Sequence, residues 1–465
     1  MSQKPDRVTF QARFDEMIQT LRREIIRSER PPGSYLPSEL SLAEHYNLSK
    51  KSVRKALDLL VEEGLISKVP RVGNRVRMLE TQEAVALTVG FYPSVEGEAQ
   101  FAELIGRFVT QYPHIKVETV SLPYTDYPDS IKRYLENGWL DVITLNGWNF
   151  REIAEHDALD LLEPQTASSG SYPYLHRMSS HEGKMYVQPL IFSPVILCYN
   201  KTMFRELGME EPDSSWSWGQ LLDTALRIKQ ERDIFGFYAH IASANRFTIP
   251  LLQRNYRFAG DSPRFLYDDP GLWGCLGEFR DLMYSQGLFP AFLSENDADA
   301  EKLFAQQKAA VIMTTYFGLK HLKQVEFDYD LAPLPYEQSA RTLLLVTGLA
   351  INRFSKQKEA AKLFVDFMSS EASQLYIRQH TLSIPAHKAS AEWTGAERLY
   401  RPSRYHLYRE ITPTFGTHVE LGLPIRELSR FRDELKLFWS NLETPESVAE
   451  RLRPPATASG SNASR

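Results

Sequence analysis

The first residues whose types and spacing imply chemistry are cations crowded into one short stretch. Lys50, Lys51, Arg54 and Lys55 lie beside Ser52. At about 100° per helical residue, Lys51, Arg54, Lys55 and Asp58 share one face, and Val53, Ala56, Leu57, Leu60 and Val61 take the other. Lys50 flanks the basic face in the first turn. Cations in a first turn run against the helix dipole. They make physical sense where an external anion, such as a phosphate, occupies that end. A second cationic group follows, with Lys68, Arg71, Arg75 and Arg77 interleaved with two short apolar runs, Leu65-Ile66 with Val69 and Val72 to Val76, and Gly73 at the tip. A basic two-stranded hairpin suits contacts to a nucleic-acid backbone.

The elements that must position these cations are legible nearby. Phe10, Phe14, Met17, Ile18, Leu21 and Ile25 recur at helical spacing, and Pro31-Pro32-Gly33 stops that helix. Ser38 is expected to cap a helix running through Tyr46, Asn47 to make a turn, and Ser49 to cap the basic helix, which runs to about Glu63. Charge is divided along the chain. Residues 1–80 hold 15 Lys and Arg against 11 Asp and Glu, a net +4, whereas the remainder holds 39 against 48, a net −9. Only the head is then expected to meet a polyanion.

From Asp15 to Arg77 the chain resembles the GntR family of bacterial transcription regulators. The resemblance rests on Leu36-Pro37-Ser38-Glu39, Leu42-Ala43, Val53-Arg54-Lys55-Ala56-Leu57, Leu60, Glu63-Gly64-Leu65-Ile66 and Gly73. It implies a winged helix-turn-helix over residues 1–80 that binds double-stranded operator DNA, with Lys50, Lys51, Ser52 and Arg54 facing the major groove and the wing near Gly73 approaching the minor groove or backbone. The full set expected at DNA is Ser38, Lys50, Lys51, Ser52, Arg54, Lys55, Lys68, Arg71, Gly73 and Asn74. Two positions depart from the family pattern. Leu40 stands where a polar or basic residue usually follows Pro-Ser-Glu, and Arg71-Val72-Gly73-Asn74 replaces the usual Gly-x-Gly-Thr.

After a polar linker, 81–86, the chain alternates strands and helices: Leu87 to Phe91, Phe101 to Tyr112, Ile115 to Val120, Tyr127 to Asn137 and Asp141 to Leu145. This is the rhythm of an α/β domain, whose ligands sit beyond the carboxyl ends of its strands. Tyr92 to Glu96 and Asn146 to Trp148 are thus expected as ligand-facing loops. Further segments resemble the extracellular solute-binding proteins of family 1: Gly183-Lys184-Met185-Tyr186 with Pro189, Tyr199-Asn200-Lys201 with Phe204, Trp216-Ser217-Trp218, Ala309-Ala310-Val311, Ala332-Pro333-Leu334-Pro335 and Glu359-Ala360-Ala361 with Phe364. That resemblance implies a periplasmic-binding-protein-like body over 87–452, with one lobe near 87–195 plus 331–365 and another near 198–328 plus 366–452, closing on a sugar or oligosaccharide. The tail 453–465 is rich in Pro, Ala and Ser and is expected to be disordered.

Sugars present apolar C–H faces and polar rims, so their sites pair aromatic platforms with amides, hydroxyls and carboxylates. The residues expected at the ligand are Tyr92, Glu96, Asn146, Trp148, Phe192, Tyr316 and Thr347. Trp148 and Tyr316 lead because each follows a strand at a position that lines the cleft in the resembled family. Trp216 and Trp218 read as helix-start packing. Two cysteines, Cys198 and Cys275, in apolar surroundings argue against a disulfide framework or a zinc site. No nucleophile elbow, phosphate loop or paired metalloprotease histidines occur, so the chain is read as a non-enzyme without cofactor. Two rival readings stand beside it: a pyridoxal-phosphate aminotransferase-like body behind the same head, which lacks a convincing Schiff-base lysine context, and a DNA-binding protein whose body no longer binds ligand. A charged N-terminus and the lack of a long apolar run predict a cytoplasmic, non-membrane protein. Pairing of heads on a pseudo-palindrome predicts a homodimer.

Overall fold

The computed structural model describes residues 7–26, 30–31, 33–70, 72–77, 84–122, 127–258, 267–284 and 295–453. The expectations for Arg71, for linker residues 81–83 and for the tail from 454 lie outside the described residues. The chain forms two compact units, Met1–Val85 and Ala86–Arg465. Among the described residues no helix is long and apolar enough to cross a membrane.

The head packs α1 (Arg7–Ile26), α2 (Glu39–His45) and α3 (Lys50–Glu62) around one apolar centre, and a two-stranded wing follows. Both expected caps form: the Ser38 side chain accepts from the Ser41 N–H and the Ser49 side chain from the Ser52 N–H. Met17, Leu21, Ile25, Leu42, Val53, Leu57 and Leu60 fill the core. Arg22 donates from Nε to Glu63 Oε2 at 2.9 Å, tying α1 to the end of α3. The wing pairs β1 (Ile66–Val69) with β2 (Gly73–Val76) in antiparallel register from Ile66↔Val76 to Val69↔Gly73. Gly73 has φ +139°, a conformation that residues with a Cβ rarely adopt, and it opens the return strand.

The body is a two-lobed α/β structure on one continuous sheet. Its first strands are β3 (Val85–Phe91), β4 (Ile115–Ser121) and β5 (Val142–Asn146), joined through α4 (Pro93–Ala99), α5 (Phe101–Gln111) and α6 (Tyr127–Glu136), with α7 (Gly147–Glu155) following. Next come β6 (Gln188–Asn200), β7 (Phe235–Tyr238), α8 (Ala298–Ala305), β8 (Ala309–Thr315), β9 (Tyr329–Ala332) and β10 (Thr342–Ile351). Two later helices follow: α9 (Lys358–Ser369) packs on the sheet, and α10 (Ile425–Trp439) flanks the cleft. The strand order is β4-β3-β5-β10-β6-β8-β7. Every residue of β6 is buried, so it reads as one apolar run without alternation. Its first half pairs with β10 and its second half with β8 and β9, so β6 passes from one lobe to the other.

Three expectations change here. Residues 92–96 are not a loop: Pro93 sits in the first turn of α4, where its missing N–H costs nothing. Asn146 ends β5 and caps α7, accepting from Asn149 N–H at 2.8 Å, so Trp148 belongs to a helical first turn. Leu331 and Ala332 pair with Cys198 and Leu197 on the far half of β6, whereas the expected split put residue 331 with the first lobe.

Candidate nucleic-acid interface and ligand cleft

On the head, Lys50, Lys51, Arg54 and Lys55 are all exposed, and Ser52 is half-buried with its hydroxyl 2.8 Å from Ser49 Oγ. Arg54 is engaged by a bidentate contact, donating to Glu39 Oε1 at 3.2 Å and Oε2 at 2.8 Å. That guanidinium holds the Glu39 carboxyl below its ordinary range. Lys68 on the wing pairs with Asp58 on α3. Among the described residues Lys50, Lys51 and Lys55 carry no ion pair. With no acid in its first turn, the start of α3 presents unpaired cations at the positive end of the helix dipole. That arrangement favours a phosphate. Ser38 is occupied as a cap, and Gly73 and Lys68 lie on the exposed wing. Asn74 faces inward and is buried, because β2 alternates its side chains and Val76 and Asn74 share the core face. Arg75, one residue on, takes the exposed side and donates to Gly33 O. Leu40 is exposed at the start of α2, so its departure from the family pattern leaves an apolar group on that surface.

In the body, a cavity of about 1840 Å³ runs between the two lobes. Its base is the first half of β10, including Leu344, Val346 and Thr347. One wall carries Tyr92, Asn146, Trp148 and Arg151, and the other carries Asn245, Asp297, Glu301 and Phe317. Among the described residues the walls already touch at several points. Lys320 donates to Glu98 Oε1 at 2.9 Å. The Trp148 ring meets His418 edge-on at 4.9 Å. The N–H of Ile425, first residue of α10, donates to Glu155 Oε1 at 2.8 Å, so a carboxylate at the end of α7 caps α10. These contacts bridge the two walls of the cleft.

Of the expected ligand residues, Tyr92, Asn146, Trp148 and Thr347 line this cavity together. Tyr92 is largely committed to the wall, its hydroxyl donating to Asn149 Oδ1 at 2.7 Å. Glu96, Phe192 and Tyr316 do not line it. Glu96 is exposed on α4 and accepts from Ala102 N–H, bracing the start of α5. Phe192 is sealed among Tyr172, Tyr174 and Tyr408. Tyr316 turns away from the cleft and donates to Tyr405 O at 2.8 Å, while its neighbours Thr315 and Phe317 face the cavity.

Several cleft residues escaped the sequence reading. Tyr174 and Phe415 form an edge-on aromatic pair at 5.7 Å on the cavity surface. The Tyr174 hydroxyl is buried and has no hydrogen-bond partner among the described residues. Arg151 is half-buried in the wall, and burial lowers its guanidinium below the ordinary value. His418 is held neutral, pushed down to about 4 by burial, with Nε2 3.0 Å from Ala244 O.

Glu301 is the most perturbed acid of the cleft. Its Oε1 accepts from Thr314 Oγ1, its Oε2 has no partner, and Asp297 acts on it with the same sign of charge. Burial pushes the carboxyl from 4.5 up to about 7, partly offset by Arg246. A folded pKa above the unfolded one gives stability that is full below pH 4.5 and is lost as pH rises through about 7. Glu301→Gln is therefore expected to stabilise the body by roughly 3 kcal/mol near pH 8 and to do nothing near pH 4. Denaturant melts at both pH values check this; equal effects at both would mean that the substitution acts through packing.

The molecule thus joins a DNA-reading winged head to a two-lobed solute-binding body. The chain belongs to the bacterial extracellular solute-binding proteins, whose family model matches residues 92–375. Residues 14–76 match the family model of the bacterial regulatory proteins of the gntR family, so the head is a gntR-type DNA-binding domain. Among curated proteins the chain is similar to the sn-glycerol-3-phosphate-binding periplasmic protein UgpB of Escherichia coli (strain K12), 20% identical over 292 residues. That match covers 58% of this chain and 66% of the relative's length. Among solved structures it is similar to the maltose-bound MalE3 of T. maritima, with TM-score 0.68 and 21% identity, covering 80% of this chain and 98% of that one. It is also similar to the substrate-binding protein Lmo0181 of Listeria monocytogenes in complex with cycloalternan, with TM-score 0.66 and 20% identity, covering 80% and 97%.

Proposed function

We propose that this protein is a cytoplasmic transcription regulator in which a sugar or oligosaccharide, held between the two lobes, controls the grip of paired heads on operator DNA. The observation that carries the reading is the interlobe cleft of about 1840 Å³ in a chain that also bears the basic face of α3. A cleft of this size has room for a sugar or an oligosaccharide. Aromatic faces at Trp148, Tyr174 and Phe415 beside Asn146, Asp297 and Glu301 offer stacking surfaces and hydroxyl partners. The similar structures hold maltose and cycloalternan, which agrees with that chemistry.

Ligand bridging both walls favours the closed state, and a preference of about 1–3 kcal/mol changes operator affinity roughly 5- to 150-fold. The regulator is a homodimer and acts as a repressor that ligand releases. Thermal melts against maltose, maltotriose, cycloalternan and sn-glycerol-3-phosphate test the reading, with operator binding measured for any hit. A saccharide at a hundred times its Kd should add about 2.7 kcal/mol of stability. A response to none of the three saccharides would sink the sugar assignment. A response with unchanged operator affinity would sink the coupling.

A further inference from the structure

Two aromatic side chains stand in solvent at the end of the first lobe farthest from the cleft. Trp139 is 60% exposed and Phe354 is 55% exposed. They sit on adjacent turns, 137–140 and 352–356. The register shows this: Ile351 pairs with Val142, and Asn352 N–H donates to Asp141 O at 2.8 Å. Tyr134 widens the surface, its ring 5.7 Å from that of Trp139.

These turns are held tightly. Asn352 is fully buried and donates from Nδ2 to Leu135 O at 3.0 Å and to Leu140 O at 2.8 Å. Its Oδ1 accepts from Phe354 N–H at 2.9 Å. Ser355 donates from Oγ to Asp141 Oδ1 at 2.6 Å. A buried amide and a buried carboxylate thus fix both turns, and more than half of each ring they carry faces solvent. Aromatic anchors that need no ordering on contact are what a protein interface uses best.

The surface also lies where the chain passes from head to body. β3 begins at Val85 and runs parallel to β5, with Val89 level with Val142, so Ala86 is level with Trp139. The cleft is at the opposite end of β5, at Asn146. We propose that this face, centred on Trp139 and Phe354, is where a second copy of the chain docks. A two-fold axis here starts both tethers close together, as two heads on half-sites about 34–36 Å apart require. It also leaves both clefts open to ligand. The rim carries both signs, with Lys132, Arg133, Arg353 and Lys356 exposed alongside Glu136 and Asp160. A rim carrying both signs lets a two-fold axis set the cations of one copy against the acids of the other.

The inference rests on the regulator reading only in requiring paired heads, and its test is separate. Sedimentation velocity of the full chain at about 20 µM should show a dimer, and Trp139→Ser with Phe354→Ser should weaken association about 100-fold. Leu442→Ser, at the most exposed large apolar side chain of the body (73%), should leave the dimer intact. Phe354→Lys alone repeats the test should the double variant melt early, with at least about tenfold loss expected. A monomeric parent chain, or a dimer that survives both variants, overturns the proposal. A saccharide melt on the monomeric variant separates the two readings. Dimer lost with no saccharide response leaves the interface standing and removes the sugar assignment.

Discussion

Arg54→Ala is expected to weaken operator binding about 10- to 100-fold while leaving any ligand-induced rise in melting temperature unchanged. Arg54 is the cation of α3 whose guanidinium is already set in a bidentate geometry, here against Glu39. A planar fork that fits a carboxylate also fits a phosphate or a guanine edge. DNA must then displace Glu39 from Arg54, so part of the binding free energy goes into breaking that pair. Glu39→Gln should show the opposite sign, with tighter binding, because the guanidinium is released in advance. The salt dependence separates the roles. A lost phosphate contact lowers the slope of log K against log salt by about one, and a lost base contact relaxes sequence preference instead. Equal losses in DNA and ligand binding would mean that Arg54→Ala had damaged the fold. No change in DNA binding would move the recognition surface away from α3.

The head was largely legible because its signals are local. Ser38 and Ser49 cap helices at the expected residues, and Val53, Ala56, Leu57 and Leu60 of α3 turn inward while Val61 is only partly buried. Asn74 failed because the wing strand is too short for its parity to show in sequence, and a one-residue difference decides which side chain faces DNA. The body was legible as an alternation of strands and helices, and less so at its site. Two loops proved to be helix starts. The cap at Asn146 was a readable signal, but Gly147 beside it drew the reading toward a turn.

The remaining misses share a cause. Phe192 lies in a strand buried on both faces, where no alternation marks the side that meets ligand. Tyr316 is one residue beyond Thr315, and the chain turns there, so the aromatic goes into the core and the smaller residue faces the cavity. Tyr174, Phe415 and His418 come from segments far apart in the chain and meet only because β6 and β10 bring both lobes to one cleft. No local pattern announces such a meeting. Trp148 was identified for its place after β5, and its partner His418 has no sequence signal of its own.

That pair carries the other large effect. Trp148→Ala is expected to reduce saccharide affinity about 10- to 100-fold. An aromatic platform contributes roughly 0.5–1.5 kcal/mol beyond the area it buries, and removing the ring also exposes apolar surface that ligand would have covered. The substitution acts a second way, because the same ring crosses the cleft to His418 and its loss removes one of the contacts that join the walls. The two effects can be told apart. Trp148→Phe keeps a platform with a smaller reach and should recover most of the affinity if stacking dominates. His418→Ala keeps the platform and removes the cross-cleft contact, so it should mimic Trp148→Ala only if closure dominates. Calorimetric titration of all three variants with the same saccharide reads the difference directly. Full affinity in Trp148→Ala together with loss in Tyr174→Ala would shift the ligand to the Tyr174 and Phe415 end of the cavity. The bridged walls near Trp148 would then serve to latch the clamp and not to hold its ligand.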